Sequence, residues 1–244
     1  MRTFCGNDKQ DEISNKDFLE LKQNLIHNGL QADTTSILRS GREIVQHAKA
    51  ASYMISRLCI HNQDLSEEII LKTHKIFTYK IDAHNSPWEQ YSGVYRKDEV
   101  SAGFHQFPHH SLVPYKMTDM IRELKSDLQE VIKKRTIDPI DIASKYCHMF
   151  VNIYPFMDGN GRMCRLILNF ILLRLGIVPV FIGNKEEDRS LYRDVVCNGS
   201  GLEEVYGDLD EEEIQFIGSM HKELSAFVIT RVKHSMSDLL HLPL

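Results

Sequence analysis

Apolar side chains recur every three or four positions through most of this chain, and short polar or glycine-bearing breaks separate the periodic stretches. That spacing lines one face of a helix with core residues. Phe18, Leu21, Leu25 and Ile26 predict a first helix, capped by Ser14 or Asn15 and ended by Asn28-Gly29. Residues 33–36 offer the next caps, and Ile37, Ile44, Ala48, Ala51, Ile55 and Leu58 carry a second helix to about Cys59. Ser66-Glu67-Glu68 opens a third, with Ile69, Ile70, His74 and Phe77. After Pro114, a long amphipathic helix runs through Met117, Met120, Ile121, Leu124, Leu128 and Val131. Asp138-Pro139 is an N-cap followed by proline at the first helical position, and it opens an apolar segment to 153. Residues 162–175 predict the next helix, which stops at Gly176. IVPVFIG is a short connector, another helix covers about 187–197, and a Gly-Ser-Gly turn follows at 199–201. Asp208-Leu209-Asp210 caps a last helix to about 234.

The helical period fails only over residues 80–114, which Pro87, Gly93, Gly103, Pro108 and Pro114 punctuate. Residues 91–100 (YSGVYRKDEV) predict two short extended pieces around Arg96-Lys97-Asp98-Glu99, a hairpin. His105, His109 and His110 cluster in the same region. A zinc site needs firmer spacing and a fourth ligand, so the region reads as a solvated loop. The pattern is all-α with one irregular hairpin region.

Composition narrows the function classes. With 244 residues, one large domain or a domain with a helical extension is expected, and 42% apolar content is enough for a core. The net charge of −5, without a basic tract, gives nucleic-acid binding no electrostatic support. Five cysteines at irregular spacing fit reduced thiols in a cytoplasmic or nuclear protein. The opening residues MRTFCGNDKQDE lack a hydrophobic signal region, and the apolar run at 166–173 is too short to span a membrane.

The candidate chemistry lies between the helices ending at 153 and beginning near 162, in Tyr154-Pro155-Phe156-Met157-Asp158-Gly159-Asn160-Gly161-Arg162-Met163-Cys164-Arg165. A short loop opening a helix exposes backbone N–H groups at the positive end of the helix dipole, a geometry suited to phosphate. Arg162 and Arg165, three apart, share a face there and suit a di- or triphosphate. Asp158 adds one hard oxygen ligand for a magnesium ion. Asp-Gly-Asn-Gly alone is an ordinary turn, and no Gly-Lys-Ser/Thr follows to make a P-loop.

The whole string, however, resembles the signature of the Fic (Fido) family, His-Pro-Phe-x-(Asp/Glu)-Gly-Asn-Gly-Arg-x-x-Arg, at eight of its nine specified positions. The departure is Tyr154, where the family has its catalytic histidine. Gly93-Val94-Tyr95-Arg96 resembles the start of the family's flap, and the resemblance covers roughly 67–227. It implies a helical bundle with a short β-hairpin flap over the active site. The expected organisation is a helical extension over 1–62, a Fic domain over 63–235 and a tail over 236–244. Such proteins mostly transfer AMP from ATP to a Ser, Thr or Tyr hydroxyl of a target protein. The resemblance implies Asp158 for magnesium and Gly159, Asn160, Gly161, Arg162 and Arg165 for the phosphates. It implies Gly93, Val94, Tyr95 and Arg96 for a target segment held by main-chain pairing. Asn198 falls where the family often has an asparagine at the adenine, with Tyr192 as aromatic neighbour; a helix C-cap and a core aromatic are the plainer readings of these two. Many relatives carry an inhibitory helix whose glutamate pairs with the second motif arginine. The comparable stretch here, 34–41, has Leu38 or Ser40 in that place, while Glu223 has the spacing without the flanking residue.

Tyr154 decides the expected activity. The attacking hydroxyl must lose its proton, and histidine suits that role. A phenol, with a pKa of about 10, is a poor base at neutral pH. His148, six residues upstream, stands about 120° around the same helix and is no substitute. The leading expectation is an adenylyltransferase scaffold impaired by Tyr154. Its competitor is a nucleotide-binding interaction module, a pseudoenzyme that holds a partner at the flap.

Overall fold

The computed structural model describes residues 15–29, 33–83, 86–102, 105–134, 138–183, 190–192, 195 and 221–240. The long helices are α1 (Asn15–His27), α2 (Thr34–Ile55), α3 (Glu67–Phe77), α5 (Val113–Lys134), α6 (Pro139–Ile153), α7 (Asn160–Arg174) and α8 (His221–Leu240). A π-helical turn, Ser56–Ile60, prolongs α2. The capping chemistry sets most of these starts. Asp33 accepts from the Ser36 N–H at 2.8 Å, Ser66 from Ile69 at 3.3 Å and Asp138 from Ile140 at 2.8 Å. Each such cap satisfies a backbone donor that the helix itself leaves unpaired.

α6 is the central element. It packs against α5, α7 and α8, and Ile142, Ala143, Tyr146, Cys147, Phe150 and Ile153 are all buried. Ser144 and His148 are buried as well, so the covered arc exceeds half of the helix circumference and α6 is enclosed rather than half-exposed. Burying one such side chain as large as Phe150 stabilises the fold by about 1.5–3 kcal/mol. α5 shows the simpler amphipathic case. Val113, Met117, Met120, Leu124, Leu128 and Val131 face the core, while Tyr115 and Ile132 stand in solvent. α2 lies on α3 and also reaches α7. The site is therefore held by α2, α3, α6 and α7.

The irregular region differs from expectation in two ways. Residues 88–91 form a short helix, α4 (Trp88–Tyr91), where no helical period was evident. Pro87 starts it and the Tyr91 ring is buried, so local packing rather than periodicity makes it. The expected hairpin around residues 96–99 is not formed. The antiparallel pair lies further on, β1 (Ser101–Ala102) with β2 (His105–Gln106), Ser101 opposite Gln106. Arg96 explains the displacement: its side chain is buried and bonded to carbonyls, so it cannot sit at a solvated turn. The expected last helix continues to Leu240, six residues past 234. No described helix is long and apolar enough to cross a membrane.

Candidate functional site

The chain turns between α6 and α7 within six residues, and the turn is built by backbone conformations that few residues accept. Tyr154 ends α6 at φ 46°, ψ 60°, in the left-handed region. Gly159 precedes α7 at φ 85°. A Cβ on Gly159 would lie 2.4 Å from Phe77 Cε2, so glycine is required there on both counts. The Asn160 side chain closes the loop on itself. Its Oδ1 accepts from the Phe156 N–H at 2.9 Å and its Nδ2 donates to the Phe156 carbonyl at 2.7 Å. Asn160 was expected in the phosphate-binding turn; its side chain shapes that turn, and its backbone N–H takes no part in these two bonds. The first helical bond is donated by Met163 to Gly159 O, so the N–H groups of Asn160, Gly161 and Arg162 come before it at the helix start.

The charged groups stand around that helix start. Asp158 accepts from the Gly159 N–H at 2.6 Å and from Arg162 at 3.0 Å, and its side chain is 37% exposed. The Arg162 guanidinium lies over the Phe77 ring, 5.1 Å from its centroid. Arg165 lies 5.9 Å from the centroid of Tyr192. Tyr192 itself is buried, with its hydroxyl 3.3 Å from Cys164 Sγ and 3.5 Å from Cys147 Sγ. It packs as a core aromatic and backs Arg165. Asn198 and the 199–201 turn lie outside the described residues. From α2, His47 joins the group: burial first, then the charges of Arg165 and Arg162, hold its pKa below the usual histidine value. His47 is thus an α2 side chain that feels both arginines, and it stands about two helical turns beyond positions 38 and 40.

Two residues tie the loop to the rest of the site. His74, fully buried on α3, accepts from the Gly93 N–H at Nδ1 (2.8 Å). Its Nε2–H must then be the donor to the Asp158 carbonyl, at 2.9 Å. The ring stacks on Phe156 with 3.7 Å between centroids. Burial, outweighing the Asp158 hydrogen bond, pushes its pKa down to about 4, so it is neutral at physiological pH. Phe156 is fully buried and anchors the loop in the core. Arg96 donates through Nε to the Tyr154 carbonyl (2.8 Å) and through its terminal nitrogens to the carbonyls of Asp98 and Pro108. The Arg96 N–H bonds Pro155 O at 2.9 Å. The sequence singled out neither His74 as a link nor Arg96 as a clamp. A histidine on the inner face of α3, three residues before Phe77, was the available signal.

These bonds change the picture of the flap. The N–H groups of Gly93 and Arg96, expected to pair with a target, are spent inside the chain. Tyr95 is largely enclosed, and burial together with Glu67 holds its phenol protonated. Val94 remains 43% exposed. A cavity of about 420 Å³ opens beside it, lined by Tyr91, Val94, Tyr95, Lys97, Asp98 and Met157 among others. It therefore joins the 90–98 segment to the motif loop. The Tyr154 ring stacks on Phe107, 4.1 Å between centroids. His148 is buried beside Asn152, and burial with the neighbouring charge of His221 pushes its pKa down to about 4. It faces α8 and not the motif.

Residues 64–172 match the family model described as Fic/DOC family. The protein adenylyltransferase Fic of Drosophila yakuba is 29% identical over 168 residues, covering 65% of this chain and 32% of its own length. The chain thus spans about a third of the length of that relative. The solved structure of Fic-1 from C. elegans superposes with a TM-score of 0.62 at 20% identity, over 98% of this chain and 67% of that one. IbpAFic2, solved covalently tethered to Cdc42, gives a TM-score of 0.50 at 18% identity over 88% of this chain and 63% of that one. At such identities the likeness establishes the fold, the helical architecture of Fic domains.

Proposed function

We propose, from the match of residues 64–172 to the Fic/DOC family model, that the chain binds Mg-ATP at the head of α7 and transfers AMP to a hydroxyl of a target protein, at a rate limited by Tyr154. The observation that carries this reading is the convergence of Arg162, Arg165, Asp158 and the α7 N–H groups on one turn that Gly159 and Asn160 shape. Two guanidinium groups and a row of donors suit the outer phosphates of a nucleotide. Asp158, part-exposed and with lone pairs beyond those given to Gly159 and Arg162, fits one magnesium ion, which when bound neutralises phosphate charge. In the transfer, the target oxygen bonds to the α-phosphorus, the bond to pyrophosphate breaks, and the hydroxyl proton must go to a base. Positioning and charge neutralisation need only the α7 head. Proton removal falls to position 154, and a neutral phenol serves it poorly. The cavity beside Val94 and Met157 is where a target segment would lie. By analogy with the structure that is tethered to Cdc42, the partner is a protein.

A second reading has its own observation. The Tyr154 ring is stacked on Phe107, an arrangement that favours a fixed structural side chain over a mobile proton acceptor. On that reading the chain holds nucleotide and partner without chemistry. One experiment separates the two: α-labelled ATP with magnesium, added to the parent chain and to Tyr154→His with a cell lysate. A rise in labelling on the order of 10²–10⁴-fold in the histidine variant supports a scaffold slowed at one side chain. ATP bound by both chains with no labelling in either supports the binding module. No thermal shift with millimolar Mg-ATP removes both readings.

A further inference from the structure

We propose that Glu99, His109 and His110 form a binding site for one divalent transition-metal ion of the zinc class, which clips the segment after Arg96 to the start of α5. One ligand atom from each of the three lies within 4.8 Å of the other two. His109 Nε2 and Glu99 Oε1 are already 3.1 Å apart. Two ligands of a tetrahedral ion with bonds of 2.0–2.1 Å lie about 3.4 Å apart, so this pair is near the needed edge. Side-chain rotation closes the rest, because Glu99 and His109 are 61% and 56% exposed.

The backbone is held in advance. The Arg96 guanidinium donates to the carbonyls of Asp98 and Pro108, the residues immediately before Glu99 and His109. The Phe107 N–H adds a bond to Val100 O at 3.4 Å. A metal ion joining these two segments therefore has little chain entropy left to remove. The His109 ring is also oriented. Ser111 offers its N–H (3.2 Å) and its hydroxyl (2.7 Å) to Nδ1, which turns Nε2 toward Glu99. In the metal-free chain Nε2 carries the proton and gives it to Glu99. A metal at Nε2 would shift that proton to Nδ1, where the Ser111 hydroxyl turns to accept it and the bond from the Ser111 N–H is given up.

Two imidazoles and one carboxylate select zinc, nickel or copper over magnesium and calcium, which prefer all-oxygen shells. The site is thus chemically distinct from Asp158 and stands independently of the nucleotide reading. The sequence asked for firmer spacing and a fourth ligand beside His105, His109 and His110; the fold brings Glu99, ten residues upstream of His109, to the last two, and water would complete the shell of four. As a bare ion pair, Glu99 with His109 is too exposed to contribute much stability. With a metal it would steady Phe107, whose ring covers Tyr154.

The test is calorimetric titration of the chelator-treated chain with zinc chloride in the presence of excess magnesium. One equivalent binding with micromolar affinity, unaffected by magnesium, is the expected result. His109→Ala, His110→Ala and Glu99→Gln should each weaken binding about tenfold or more, with thermal melts showing that the variants remain folded. His61→Ala, which removes another exposed histidine, should leave it unchanged. No binding, the same affinity in His109→Ala, or equal losses in His61→Ala would overturn the site, the last by assigning binding to scattered surface histidines.

Discussion

At the scale of single residues, the turn between α6 and α7 is set by groups with no substitute. Gly159 combines a left-handed backbone with a Cβ position occupied by Phe77. Gly159→Ala should cost about 2–4 kcal/mol, adding overpacking to backbone strain. Urea unfolding measures this, and Phe77→Leu in the same chain should recover part of it by freeing the ring edge. A loss near zero for Gly159→Ala would mean that the turn moves freely. Arg96 is the second such group. Arg96→Lys keeps the charge but cannot bond the carbonyls of Tyr154, Asp98 and Pro108 together. It should therefore speed hydrogen exchange over 97–110, while α5 and α6 keep their protection.

At the scale of elements, helix starts and helix faces carry the argument. Asp138 caps α6, the most enclosed helix, and Asp138→Ala should lower stability by about 1 kcal/mol, read as a shift in the urea midpoint at constant slope. α2 matters for the site because it brings His47 to Arg165 and Arg162. A carboxylate at that place should pair with the arginines and occupy the phosphate position. His47→Glu is expected to weaken Mg-ATP binding about tenfold, measured by calorimetry. An unchanged Kd would show that α2 does not reach the phosphates.

At the scale of the whole molecule, two buried histidines link the fold to pH. His74 and His148 are both pushed down to about 4, each chiefly by burial. Their unfolded value is near 6.5. Between those limits the unfolded chain binds protons that the folded chain refuses, so stability is full above about pH 6.5 and falls as pH drops toward 4. The loss is on the order of 3 kcal/mol for each by pH 4. Protonating His74 also sets a second N–H against that of Gly93, so the link between the motif loop and the 93–96 segment should fail first. Urea midpoints from pH 7.5 to 4.5 give the slope. An imidazole NMR titration placing either residue near 6.5 would contradict it.

The chain by itself determined the helices and their caps. Asp33, Ser66 and Asp138 act through neighbours two or three residues away, and apolar periodicity needs only one turn of helix to declare itself. It also determined the motif: Pro155, Phe156, Asp158, Gly159 and both arginines lie within eleven residues, so their convergence needs only one turn and one helix start. The tertiary structure decided everything that joins distant segments. His74 meets Asp158 from 84 residues away, and Arg96 meets Tyr154 from 58. His47, Glu99 and Tyr192 found their places only when α2, the 98–110 segment and the core closed around the turn. Such contacts leave no period or spacing in the sequence, because they depend on how faces pack and not on the order of residues along one element.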